Sequence, residues 1–178
     1  MILFLNRIFN KIRREWRIKV FRAYTKNKRA NVHIVGKMTL INPNIKVGNN
    51  VTFFPDVMLN GDGLIEIGDN VDIGNGTIIY ASKGGGVKIG SNTMIAAQSY
   101  IIDCDHGIKA NMPIRGQSNT VKSIEIGENV WVAAGVKILK GSKIGNGAVI
   151  GAASVVKGEI PDNAIAVGTP AIVKKYRE

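Results

Sequence analysis

A six-residue repeat is the feature that most constrains how this 178-residue chain folds. From residue 126 onward an aliphatic side chain returns at every sixth position, at Ile126, Val132, Ile138, Ile144, Ile150 and Val156. A period of six matches neither the 3.6-residue period of an α-helix nor the two-residue alternation of a strand. It is typical of a short strand followed by a tight turn, repeated many times.

A longer phrase marks the start of successive turns of this repeat. An aliphatic residue followed by glycine and polar residues begins at Val47, Ile67, Ile89, Ile126 and Ile144. The last spacing, 18 residues, equals three six-residue units and predicts a triangular coil with one strand per side. Stacked coils bury a continuous aliphatic column, and Gly and Asn supply the turn conformations. The sequence therefore predicts an all-β parallel solenoid, with an ordinary β-sandwich rich in glycine turns as the alternative.

One interval departs from this spacing and points to a functional loop. The 37 residues between Ile89 and Ile126 equal two coils plus one residue, or one coil plus a 19-residue excursion. The six-residue pattern fails across residues 104–122, so we predict an extruded loop there. Loops on rigid scaffolds often carry functional residues, and a neutral imidazole accepts a proton near pH 7. His106, at the start of this loop, is either a catalytic base or a solvated loop histidine.

Composition excludes several other classes of protein. The chain has one cysteine, Cys104, and two histidines, His33 and His106, so neither an intramolecular disulfide nor a three-histidine metal site is expected. A membrane-spanning helix is not predicted, because no apolar run approaches about 18 residues. The apolar stretch at the N-terminus is short and precedes its charges, unlike a secretory signal.

The first thirty residues differ from the rest of the chain. They hold ten basic residues and one acidic residue, whereas the other 148 residues carry a net charge of only +2. Apolar residues spaced by three and four predict an amphipathic helix, with Leu5, Ile8, Phe9, Ile12, Trp16, Val20 and Tyr24 on one face. This face is expected either to lie in a membrane interface or to pack on the body or a neighbouring subunit. Nucleic acid is not an expected partner, since no recognition motif accompanies the charge.

Residues 31–178 resemble the left-handed β-helix of hexapeptide-repeat acyltransferases. The part from Ile89 onward is similar to galactoside and maltose O-acetyltransferases, and closer still to capsule, O-antigen and exopolysaccharide O-acetyltransferases. His106 follows the Ile89-Gly90 phrase by the family's interval. The family's other motifs stand at residues 126–132 (IGENVWV), 149–156 (VIGAASVV), 160–161 (IP) and 167–171 (VGTPA).

The resemblance implies a fold, an activity and an assembly. It implies a left-handed parallel β-helix over residues 31–178, with the extruded loop at 104–122 and a C-terminal tail at 167–178. The implied reaction is direct acyl transfer from acetyl-CoA, without a metal, to a sugar hydroxyl of a bacterial surface polysaccharide or its precursor. His106 would be the general base. Family members are homotrimers with the site between two subunits.

The resemblance also implies which residues line the site. The acetyl-CoA contacts would be Trp131, Ala134, Ala152, Ala153, Lys157, Lys174 and Lys175. Acceptor contacts are expected at Asn75, Asp103 and Asp105. Asn75 lies one position from the family's sugar-binding Asn, and either aspartate could orient His106.

Three alternatives remain at this point. Cys104 and His106 could form a nucleophile pair that carries an acyl-enzyme. The chain could be an N-acetyltransferase of an amino-sugar nucleotide, or a non-catalytic β-helical scaffold. For an acetyltransferase, the expected location is cytoplasmic and peripheral at the inner membrane face, where residues 1–30 would meet a sugar or lipid-linked glycan acceptor.

Overall fold

The computed structural model describes residues 2–25 and 30–178, and the helix side chains from residue 9 onward. One helix, α1 (Ile2–Thr25), precedes a body of short strands. The strands are β1 (Val32–Ile34), β2 (Thr39–Leu40), β3 (Ile45–Val47), β4 (Val51–Phe53), β5 (Met58–Gly61), β6 (Leu64–Ile67), β7 (Asp72–Ile73), β8 (Ile78–Ala81), β9 (Gly86–Ile89), β10 (Met94–Ile95), β11 (Tyr100–Ile102), β12 (Cys104–Asp105), β13 (Thr120–Val121), β14 (Ile124–Ile126), β15 (Trp131–Val132), β16 (Lys137–Ile138), β17 (Lys143–Ile144), β18 (Val149–Ile150), β19 (Val155–Val156), β20 (Glu159–Ile160), β21 (Ala164–Val167) and β22 (Ile172–Tyr176). A single turn of 3₁₀ helix lies at Ile114–Gly116.

The strands form three sheets that make the faces of a prism. Face A contains β1, β4, β7, β10, β15, β18, β21 and β22; face B contains β2, β5, β8, β11, β16 and β19; face C contains β3, β6, β9, β14, β17 and β20. Each coil contributes one strand to each face in turn, and successive coils pair in parallel. The predicted left-handed parallel β-helix is confirmed.

The core is a set of stacked aliphatic columns, as the six-residue repeat predicts. On face A the side chains of Ile73, Ile95, Val132 and Ile150 lie in register from coil to coil and are 0–1% exposed. Burying one such side chain contributes roughly 1.5–3 kcal/mol relative to leaving it in water. A prism this narrow is filled by Ile and Val, and few aromatic residues are needed.

The strand pairing explains the 37-residue interval. β10 pairs with β15 and β11 pairs with β16, so the interval contains a single coil and one excursion. The predicted extruded loop is therefore present. It leaves the corner between faces B and C, and β12 and β13 form an antiparallel pair at its base.

The two ends of the solenoid are covered differently. At the first coil, Phe21 of α1 is fully buried and its ring centroid lies 5.4 Å from that of Phe53. At the last coil, β22 turns back antiparallel to β21, and the Arg177 guanidinium donates to the carbonyl of Gly147 at 2.8 Å. The segment predicted as a C-terminal tail thus contains a paired strand. No helix in the described ranges is long and apolar enough to cross a bilayer.

Candidate active site

His106 lies just beyond β12, where the extruded loop departs from the prism. Its side chain is exposed, and the imidazole makes no hydrogen bond to any residue in the described ranges. Both ring nitrogens are therefore available to an incoming ligand. An exposed imidazole at a fixed position can accept a proton from a hydroxyl group bound beside it.

Asp105, the residue before His106, is held by the next coil. Lys140, in the B–C turn after β16, places its ammonium 2.9 Å from the Asp105 carboxylate. The same ammonium also donates a hydrogen bond to the Thr120 hydroxyl on β13. Lys140 therefore joins both strands of the loop base to the coil above, and it fixes the backbone from which His106 projects.

Asp103 plays a different part, because its side chain is buried against the turn of the coil below. The residue is 0% exposed, and both carboxylate oxygens accept the backbone N–H of Ser82, at 2.9 and 3.0 Å. The Ser82 hydroxyl is buried and has no hydrogen-bond partner among the described residues. Asp103 thus fixes the turn below the loop, and a direct contact with an acceptor would require that turn to move.

Cys104 lies between the two aspartates and its side chain is buried. It is 7% exposed, whereas His106 is exposed, and no hydrogen bond joins the thiol to the imidazole in the described part of the chain. The geometry gives no support to a Cys–His nucleophile pair. Nearby, burial raises the pKa of the Tyr100 phenol above its ordinary value of 10.0, and Cys104 and Tyr80 add smaller effects in the same direction.

A second group of predicted residues lies at the corner between faces A and B. Ala134 and Ala152 occupy this corner in successive coils and are exposed, and Asn75 occupies it two coils below Ala134. The Ala153 N–H donates to the carbonyl of Ala134 at 2.9 Å, which ties the two turns together. The N–H groups of Ala134 and Ala152 make no hydrogen bond to any residue that the structure describes. The corner therefore offers a column of free backbone donors.

Ala153 has an unusual backbone conformation at this corner. Its φ is +56°, in the left-handed region where Gly and Asn are favoured, as at Gly135 one coil below with φ +72°. A Cβ atom in this region costs roughly 1–2 kcal/mol. The chain keeps an alanine where glycine would relieve that cost.

The remaining predicted cofactor residues lie on other parts of the surface. Trp131 projects from face A, 49% exposed, in register with Met94 and Val149. Lys157 lies at the B–C corner after β19, and Lys174 and Lys175 lie on β22 beside face A. The three lysines do not form one cluster.

Within one chain, the predicted site residues thus lie in two separate groups. His106, Asp105 and Lys157 are at the B–C corner, whereas the alanines and Asn75 are at the A–B corner, with face B between them. Within residues 2–25 and 30–178, no group of three or more His, Cys, Asp or Glu side chains could hold a metal ion.

Lys140 was not among the site residues predicted from the sequence. The turn after Ile138 lies beside the loop base only when the 37-residue interval is resolved as one coil. No motif marks Lys140 in the sequence, and its contacts with Asp105 and Thr120 follow only from the folded chain.

Two family models match the repeat. The one described as bacterial transferase hexapeptide (six repeats) matches residues 123–158, and the one described as hexapeptide repeat of succinyl-transferase matches residues 65–81. Both lie within the coils that carry the six-residue period.

Sequence similarity to individual acetyltransferases extends over most of the chain. WbbJ of Escherichia coli, named as a lipopolysaccharide biosynthesis O-acetyl transferase, is 36% identical over 143 residues, which cover 74% of this chain and 72% of WbbJ. WcaF of Escherichia coli, named as a colanic acid biosynthesis acetyltransferase, is 31% identical over 134 residues, 74% of this chain and 69% of WcaF.

A solved acyltransferase structure has a similar fold. A mutant of AntD, an N-acyltransferase from Bacillus cereus in complex with dTDP and coenzyme A, superposes with a TM-score of 0.76 at 26% identity, covering 84% of this chain and 82% of AntD. Relatives named as acetyltransferases and a CoA-bound acyltransferase neighbour identify an enzyme, so the scaffold alternative is not retained. The chain belongs to the hexapeptide-repeat O-acetyltransferases.

Proposed function

We propose that this enzyme transfers an acetyl group from acetyl-CoA to a hydroxyl of a sugar in a bacterial surface polysaccharide or its precursor. The observation that carries the proposal is the exposed His106 imidazole beside a loop base that Lys140 and Asp103 fix from two sides. The names of WbbJ and WcaF support the substrate class, since both refer to the synthesis of surface polysaccharides.

His106 acts as general base in the proposed reaction. The imidazole removes the hydroxyl proton as the sugar oxygen forms a bond to the thioester carbonyl carbon. The tetrahedral oxyanion then collapses, the C–S bond breaks, and the CoA thiolate takes the proton from the imidazolium. General-base assistance is worth roughly 10²–10⁴-fold. Direct transfer requires no covalent enzyme intermediate, in keeping with the buried position of Cys104.

The column of free donors at the A–B corner is the proposed CoA groove. The N–H groups of Ala134 and Ala152 suit the amide oxygens of pantetheine, and such a donor also suits the oxyanion. Small side chains leave these donors accessible. We assign Ala153 and Trp131 to the walls of the groove. Lys157, Lys174 and Lys175 are assigned to the phosphates.

A homotrimer with its site between subunits would unite the two groups of residues. Face C carries outward charges that alternate in register, Lys46, Glu66, Lys88, Glu125, Lys143 and Glu159, as expected of a surface in water. Face B instead carries partly exposed Ile78, Tyr100 and Val155 outward, with Lys137 as the charge in the same row. We propose that faces A and B contribute the subunit contacts, so that His106 of one subunit meets the groove of the next. Asn75, beside that groove, and Asp105, beside His106, would then flank the acceptor.

We further propose that the reaction takes place in the cytoplasm, at the inner face of the membrane. Acetyl-CoA is a cytoplasmic metabolite, and a lipid-linked glycan would present its sugars at that surface.

The test replaces His106 with Ala and follows free-thiol release from acetyl-CoA with a panel of sugar acceptors. Activity is expected to fall by roughly 10²–10⁴-fold while acetyl-CoA binding by calorimetry is retained. Ile108→Ala is the matched control, since Ile108 is on the same loop and is 84% exposed. Unchanged turnover in the His106 variant would show that another group is the base.

N-acetylation is the second candidate function. The specific observation in its favour is the likeness to AntD, an N-acyltransferase crystallised with dTDP. Parallel assays with hydroxyl-bearing polysaccharide fragments and with an amino-sugar nucleotide separate the two. Turnover confined to the amino acceptor would replace the O-acetyltransferase proposal.

A further inference from the structure

One side of α1 presents an apolar stripe that the body covers only in part. Its residues are 41–67% exposed and comprise Phe9, Ile12, Trp16, Val20 and Tyr24. The helix packs on the first coil through other positions, chiefly Phe21 and Thr25, which are 0% and 5% exposed. Tyr24 also donates its hydroxyl proton to the Ile41 carbonyl at 2.9 Å, so the predicted apolar side meets the body near the end of α1 and is most exposed at Phe9, Ile12 and Trp16.

Two cavities separate α1 from the first coil, and they differ in chemistry. One is a cleft of about 660 Å³ whose cationic lining comes from Lys11, Arg14 and Arg17, with His33 on the opposite wall. The other is a groove of about 300 Å³ lined mainly by apolar residues, Trp16, Val20, Tyr24, Met38 and Leu40, with Arg17 and Lys37 at its sides.

Arg17 belongs to both cavities. Its guanidinium donates to the carbonyl of Val35 at 3.3 Å, which holds it between the cleft and the groove. A ligand that fills both would need an anionic group and an apolar chain a short distance apart.

The charge of this surface is largely uncompensated. Glu15 is the acidic residue of α1, and its carboxylate lies 3.6 Å from the Arg14 guanidinium. Lys11, Arg13 and Lys19 form no ion pair with any residue that the structure describes. Packing two such helices stripe to stripe would bring Arg13 and its neighbours against like charges, which disfavours a second copy as the occupant.

We propose that this surface binds the interface of a bilayer that contains anionic phospholipids. The stripe enters the boundary between head groups and acyl chains, and the cationic cleft receives a lipid phosphate. Amphipathic helices with Trp and Phe on one side and Lys and Arg around it bind membranes in this way. The proposal stands on the helix and the first coil alone and does not depend on the acceptor of the acetyl group.

The test uses the full chain with vesicles of phosphatidylcholine, alone or mixed with phosphatidylglycerol. We expect co-sedimentation with the mixed vesicles only, weakened by salt. In a Trp131→Phe background the fluorescence of Trp16 is expected to shift to the blue on binding, because the indole leaves water. Absence of binding to the anionic vesicles would overturn the proposal.

Charge variants then locate the contact. Each cation near an anionic surface strengthens binding by about fivefold, so replacing Lys11, Arg14 and Arg17 together by Gln should weaken it on the order of 100-fold. The matched control replaces Lys83, Lys109 and Arg115 by Gln, which removes the same charge from exposed positions elsewhere. Equal losses in both variants would mean that net charge, and not this surface, is responsible.

A stripe variant separates the membrane from a second copy of the chain. Ile12→Ser with Val20→Ser is expected to weaken vesicle binding at least tenfold and leave the mass measured by light scattering unchanged. Both positions are exposed, so the fold should tolerate the change. A change of oligomeric mass with vesicle binding intact would assign the stripe to a subunit contact and overturn the proposal. If inorganic phosphate displaced the protein from the labelled anionic vesicles as effectively as unlabelled anionic vesicles do, the cleft would be a general phosphate site. That result would also overturn the proposal.

Discussion

The Lys140 ammonium lies 2.9 Å from the Asp105 carboxylate, one residue before the candidate base His106. Asp105 is on β12, and the hydrogen bond from Lys140 to Thr120 reaches β13, so a single side chain clamps both strands of the loop base. A base that projects from a loop needs such a support, since small displacements from a reacting atom cost much of the rate.

Replacing Lys140 by Met is therefore expected to lower kcat ten- to hundredfold and leave the KM for acetyl-CoA unchanged. An exposed ion pair contributes only about 0.2–1 kcal/mol, so the free energy of unfolding should change little. Lys140→Arg, which keeps the charge, should recover most of the activity. If the Met and Arg variants are equally slow, the clamp does not position the base.

Ala153 offers a test of strain at the proposed CoA groove. Because its φ is +56°, Ala153→Gly should raise the free energy of unfolding by about 0.5–1 kcal/mol, measured by urea denaturation. If the Ala153 Cβ contacts pantetheine, the KM for acetyl-CoA should rise at the same time. Ala152→Gly is the control: Ala152 has no positive φ, and glycine there should lower stability. If Ala153→Gly and Ala152→Gly change the free energy of unfolding in the same direction, the backbone at Ala153 is not strained.

The buried carboxylate of Asp103 is expected to stabilise the fold. Asp103→Ala leaves the Ser82 N–H without its acceptor, which should lower the free energy of unfolding by about 1–3 kcal/mol. Asp103→Asn keeps an oxygen acceptor and should lower the free energy of unfolding by less than Asp103→Ala does. Asp105→Ala, at an exposed position, should lose less than about 1 kcal/mol. Equal losses at the two aspartates would show that the Ser82 contact is not what distinguishes them.

Tyr100 should make stability sensitive to high pH. Burial, helped by Cys104 and Tyr80, raises the pKa of its phenol above 10.0, so the folded chain keeps this proton more tightly than the unfolded chain does. The contribution of the protonated phenol to the free energy of unfolding is complete below pH 10. It is lost as the pH rises through the raised pKa of the folded chain. Tyr100→Phe should flatten the fall in Tm above pH 10. Parallel Tm curves for the two proteins would contradict the shift.

Much of the fold could be predicted because the repeat is local. Each coil contacts only its neighbours, so the 18-residue spacing from Ile126 to Ile144 already defines one circuit of the prism. The loop at residues 104–122 was predictable for the same reason, as an interruption of a regular period.

The candidate site was only partly predictable. The position of His106 at the loop mouth follows from the sequence, and the family motifs imply the alanines of the groove. The contact of Asp103 with Ser82 and the contact of Lys140 with Asp105 do not follow, because both depend on which coil lies above and below the loop base.

The solenoid, its aliphatic core, the extruded loop and the charge of the first thirty residues can all be predicted from the order of the amino acids. The folded chain was needed to see that α1 packs through Phe21 and leaves Trp16 exposed, and that His106 and the Ala134 corner lie on opposite sides of face B. The two kinds of feature differ in the sequence separation of the contacts that set them. Six-residue turns are set by neighbouring residues, whereas docking of a helix and the placement of corners depend on contacts between residues far apart in the chain.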